Sequence, residues 1–186
     1  MVISPERPRC LVPDILLEIN CWKGRPKALN ELLAAKVSKD MRMVPRLMDA
    51  LKGGNDKGKG VCLEVLEAVT RERPEWAADH LPDIIGLINH KAPKVKWESS
   101  RVVANLAPKF PEKTAKAIPM LLANTTDKGT VVRWSAAFAL GEILKSSVKE
   151  RKALLSKVEN ILKTEKNNGV RNVYLKAMKA VNKTGL

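Results

Sequence analysis

The feature that most constrains this chain is an internal repeat. Pro45, Pro82 and Pro119 stand 37 residues apart, as do Trp97 and Trp134. The apolar series Leu47, Ile84, Leu121, Val158 and a second series, Leu66, Val103, Leu140, Ala177, keep the same register through four units. A unit of this length cannot bury its apolar face alone and stacks on copies of itself, so the chain is expected to form a solenoid whose function lies on a surface.

The unit reads most plainly in the second and third copies. LPDIIGLIN is an apolar helix with Pro82 in its first turn, KAPK breaks it, and VKWESSRVVANLA is a second helix. Proline suits a first turn because the N–H it lacks would have no intrahelical partner there. In the next copy, VVRWSAAFALGEIL places Val132, Ala136, Ala139, Leu140, Ile143 and Leu144 on one buried stripe. The expected architecture is all-α, an α–α superhelix of antiparallel helix pairs in one domain, with units at about 43–70, 81–107, 117–144 and 154–181. In the first unit GGNDKGKG is expected to be the internal turn, and a degenerate helix pair over 13–36 precedes it. The fourth copy trades core positions for Ala and Lys, as a terminal cap does. No segment alternates with period two, and aromatic content is only 4%, which disfavours sheets.

Charge narrows the partner. The chain carries +14, and half of it sits in residues 146–186, where ten basic residues face three acidic ones. An excess of this size favours an acidic protein segment, a nucleic acid or an anionic surface. Three scattered cysteines and two histidines leave no zinc-ligand spacing and no disulfide framework. No cofactor or metal is expected. The first twenty residues lack the basic start and apolar run of a secretion signal, and no run reaches the roughly 18 apolar residues of a membrane span. The expectation is a reduced, cytoplasmic protein.

The second helices carry the resemblance to a known family. In VVRWSAAFALGEI, Arg133 opens the helix six residues after Asp127, and Arg171 follows Glu165 at the same spacing. His90 and Lys96 match in part, while Gly53 and Lys59 do not. This pattern resembles the HEAT-like (armadillo-type) repeat family, in which an Asp in the turn and an Arg opening the second helix recur along the stack. The resemblance spans about 140 of the 186 residues. It implies a scaffold or binding surface, with Asp127, Arg133, Glu165 and Arg171 as an acid–base ladder joining adjacent turns.

Trp97 and Trp134 occupy equivalent positions off the main apolar stripe, with Arg101 and Phe138 one turn further on. Stacking would bring the two indoles side by side among cations. Lys96, lacking an acid six residues earlier, is expected to face a ligand. The candidate binding set is therefore Trp97, Trp134, Lys96, Arg101, Arg133 and Arg171, the tryptophans anchoring a protein or stacking on bases.

No catalytic constellation is found. Gly53, Gly58 and Lys59 have phosphate-loop spacing, but a helix precedes them and Gly60 stands where the motif needs a hydroxyl. The expected function is a non-enzymatic scaffold or adaptor for an acidic macromolecule, protein before nucleic acid. The enzyme alternative is a resemblance to HEAT-like alkylpurine DNA glycosylases, which use aromatic residues and an acid on a basic concave surface. Here the residues one turn either side of Trp97 are Pro93 and Arg101, and Glu98 lies about 100° away around the helix.

Overall fold

A computed structural model describes residues 14–183. Eleven α-helices follow one another: α1 (Ile15–Cys21), α2 (Pro26–Val37), α3 (Met43–Gly53), α4 (Asp56–Thr70), α5 (Leu81–Gly86), α6 (Pro93–Leu106), α7 (Pro111–Ala115), α8 (Ile118–Ala123), α9 (Thr130–Ser146), α10 (Val148–Thr164) and α11 (Asn168–Lys183). Among the described residues there is no strand. No helix among the described residues is long and apolar enough to cross a membrane.

The apolar stripes read from the sequence are the ones buried. Leu47, Ile84, Leu121 and Val158, and Leu66, Val103 and Leu140, are wholly inaccessible, and one continuous core runs from Ile15 to Val181. The second helices α4, α6, α9 and α11 stand side by side in that order. Those in the middle of the row are covered on two sides, which is why α9 buries more than a single stripe between Val132 and Leu144 and leaves one face open.

Two expectations are corrected here. The turn within GGNDKGKG is only Gly54 and Asn55: α3 runs through Gly53, and α4 starts at Asp56 because the Asn55 side chain caps it, accepting a hydrogen bond from the Gly58 N–H at 2.9 Å. Gly60 lies inside α4, where a Cβ would come within 3.0 Å of the Lys94 side chain laid across it. The last unit's first helix begins at Val148 rather than near 154, because Ser147 caps it by accepting from the Glu150 N–H at 3.4 Å.

The segments that precede α5 and α8 are structured too: a 3-10 helix spans Pro74–His80, and α7 spans Pro111–Ala115. These short elements give two units a third helical piece, within the two-or-three-helix range of HEAT and armadillo repeats. Each begins at a proline, and another proline opens the helix that follows, Pro82 in α5 and Pro119 in α8. No proline occurs after Pro119, and α10 accordingly runs unbroken for 17 residues.

Candidate binding face

The N-terminal ends of the second helices lie along one edge of the stack. In three successive turns an acceptor side chain takes the N–H two residues on: His90 Nδ1 from Ala92 at 3.1 Å, Asp127 Oδ1 from Gly129 at 2.8 Å, and Glu165 Oε1 from Asn167 at 2.8 Å. Each acid is left with a second oxygen for the preceding unit. Lys96 Nζ reaches Asp127 Oδ2 at 2.7 Å, and Arg133 Nε reaches Glu165 Oε2 at 2.8 Å.

The acid–base pairs therefore run from unit to unit. Within the six-residue spacing, Arg133 meets only the Asp127 backbone carbonyl, at 2.9 Å. Burial alone would raise the Asp127 and Glu165 carboxyls, but the hydrogen bonds from Lys96 and Gly129, and from Arg133 and Asn167, hold both below the ordinary carboxylate range. Arg171 ends the row and donates Nη1 to the carbonyls of Leu162 and Glu165. Lys59 begins it and donates to the carbonyls of Leu51, Lys52 and Gly54.

These contacts correct the reading of Lys96 as a cation free for a ligand. Its partner is an acid 31 residues later, outside any spacing within one unit. Arg133 and Arg171 are likewise committed to the frame.

Arg101 is engaged too, in a second network between α4 and α6. Its Nη2 donates to Glu67 Oε1 at 2.8 Å and its Nη1 to Glu98 Oε2 at 3.0 Å. Glu67 also receives Arg71 on both oxygens, at 2.8 and 2.7 Å, and Glu98 Oε1 accepts the Trp97 indole N–H at 2.6 Å. Both carboxylates are buried, at 3% exposure each. Burial pushes the Glu98 carboxyl above its ordinary value, against the lowering effects of Trp97 and Arg101. Helical geometry thus put Glu98 too far from Trp97: the Cβ directions diverge, yet the long Glu side chain turns back to the indole. Trp97 is half-buried and pinned by this bond.

Trp134 has a different setting. It is 37% exposed and stacks on Phe138, the ring centres 5.6 Å apart and the planes 16° from parallel. Beside this pair a groove of about 300 Å³ opens between α9 and α11, walled by Trp134, Phe138 and Val173, with Lys176, Glu142 and Lys145 at its rim. Gly141 and Ala177 form its floor; a Cβ on Gly141 would meet the Ala177 Cβ at 3.0 Å. One unit earlier the matching positions are Ala104 and Leu140, both buried and each larger than the residue that replaces it here. Reading tryptophans alone missed this floor, although the two small residues were visible in the repeat register.

The fold is that of the armadillo and HEAT-like helical repeats. A designed armadillo repeat protein in complex with the peptide (KR)4 superimposes with a TM-score of 0.67 at 15% identity, over 90% of this chain and 80% of that one. The complex of CpcE and CpcF of phycocyanin lyase from Nostoc sp. PCC7120 gives 0.69 at 20% identity, over 88% and 95%. An engineered protein gives 0.65 at 20% identity, over 94% and 88%. No family model and no curated protein matches the sequence.

Proposed function

We propose that this chain is a non-enzymatic scaffold or adaptor that binds an acidic protein partner on the face formed by its second helices. The observation that carries this reading is the Trp134–Phe138 stack, an aromatic surface left open beside a groove between two second helices. Aromatic side chains in partly desolvated pockets are the usual anchors of protein contacts. A designed protein of this fold holds a basic peptide; the +14 charge of this chain calls for the opposite sign of ligand.

Of the six residues expected to bind, Trp134 becomes the anchor and Trp97 a fixed neighbour. Lys96, Arg101 and Arg133 join neighbouring units, and Arg171 ties α11 to the end of α10 within the last one. A photo-crosslinking amino acid placed at Val131, an exposed α9 residue one turn before Trp134, tests this in a cell lysate with and without nuclease. Crosslinks to protein that survive nuclease and are absent from the same probe at Lys57 on α4 are expected. Crosslinks abolished by nuclease would favour the nucleic-acid reading, and none at all would refute the binding face.

A further inference from the structure

The cations of the last unit differ from most of those in the middle units. Among the described residues, none of the ten basic residues between 146 and 186 forms an ion pair, while Lys96, Arg101 and Arg133 are each neutralised by a carboxylate. On α11 three of them, Lys176, Lys179 and Lys183, recur three and four residues apart and are all exposed, so they form one stripe along the helix. Lys176 lines the groove together with Trp134 and Phe138, which places the stripe along that groove's α11 side.

The groove itself selects for a small apolar group. Its volume of about 300 Å³ is at the lower end of ligand pockets, and Gly141, Ala177 and Val173 give it an aliphatic lining. One face of the Trp134 ring is already taken by Phe138. A nucleic acid fits less well, because Arg101 and Arg133, which would grip phosphates in a bidentate manner, are spent on carboxylates inside the frame.

Resting on the protein-binding reading above, we propose that the α9–α11 groove takes an acidic, extended protein segment with one aliphatic side chain. That side chain enters against the Trp134–Phe138 stack, and carboxylates following it in the segment pair with Lys176, Lys179 and Lys183. The segment's charge gives rate and specificity, and the aliphatic anchor gives residence.

The test uses a short fluorescein-labelled peptide with a central Leu flanked by Glu and Asp, titrated by anisotropy against the full chain. Replacing the peptide's Leu by Ala, or Trp134→Ala in the protein, is expected to weaken binding by about tenfold. The double substitution K176E/K179E, on exposed positions that leave the core intact, is expected to weaken it by about tenfold or more. Gln and Asn in place of the acids should remove binding. Trp134→Phe, which keeps an aromatic on Phe138, guards against a loss that merely reflects a disturbed α9 and should retain most of the affinity.

Equal binding of the Leu and Ala peptides, indifference to K176E/K179E, or competition by oligothymidylate as strong as by unlabelled peptide would each overturn the proposal. If the peptide fails while nuclease-resistant crosslinks at Val131 persist, this segment chemistry is wrong and the binding face stands. If both fail, the reading beneath it falls as well.

Discussion

The middle units and the last unit solve the same stacking problem with different means. Between residues 41 and 145, eleven of seventeen basic residues are ion-paired, several of them across unit boundaries: Lys96 to Asp127, Arg101 to Glu67, Arg133 to Glu165. Their first helices are cut short by prolines. The last unit has one long first helix, and among the described residues its basic side chains form no ion pair. Charge spent on holding units together is unavailable to a partner, so net charge alone says little about where a basic repeat protein binds. Its location relative to internal carboxylates decides that.

The sharpest way to break this comparison is to remove a carboxylate from the middle. Glu67→Ala would leave Arg71 and Arg101 beside a buried space with one anion fewer, and stability should fall by about 3 kcal/mol in urea unfolding. A loss below about 1 kcal/mol would mean the network behaves as a surface pair and does not join α4 to α6.

The contact between the two regions comes next. Gly141→Val places carbon atoms where the Ala177 Cβ already stands 3.0 Å from a bare Cβ, so α9 and α11 must separate. Overpacking of this kind costs about 1–3 kcal/mol. The same substitution narrows the groove, so a stability loss without any loss of crosslinking at Val131 would argue against the groove as the point of contact.

Much of the fold was legible because it depends on local periodicity. The series through Leu47 and Leu66 named the buried faces directly, since burial repeats with the unit. Two further signals stood in the sequence: Ser147 three residues before Glu150 is the capping-box pattern, and the absence of proline after Pro119 foretells a continuous α10. The site was less legible, for a physical reason. Pairing between Lys96 and Asp127, or Arg101 and Glu67, spans 31 or 34 residues and depends on how far each unit is rotated against the next. Spacing within a unit cannot supply that rotation. It therefore marked as available the charges that stacking consumes, while the plain lysines of α11 drew no attention.

Titration separates two kinds of acid in the frame. Asp127 and Glu165 have carboxyls held low in the folded chain, so their contribution is present above the ordinary carboxylate pKa of about 4 and is lost as pH falls through the lowered folded values. Glu98 is raised, so the folded chain binds its proton first and its contribution grows as pH drops from neutral toward that range. Thermal unfolding followed from pH 7 downward should show Glu98→Gln losing stability relative to wild type as the pH falls. Asp127→Asn and Glu165→Gln should instead lie furthest below wild type at neutral pH and converge on it in acid. Parallel curves for all three would remove the distinction.

The smallest expected effect is the most diagnostic for the last unit. Lys149 and Lys157 on α10 are exposed and have no acidic partner within ion-pair distance, and they sit in a segment of ten positive and three negative residues. Replacing either by Gln removes no contact and relieves like-charge repulsion, so stability should change by less than about 0.5 kcal/mol, toward the more stable side at low salt. Added salt screens that repulsion over a Debye length of about 8–10 Å, so the wild-type chain should gain stability with salt while the substituted chain gains less. A clear loss of stability in either variant would show that the last unit's charge is tied into the frame after all, and the contrast with the middle units would disappear.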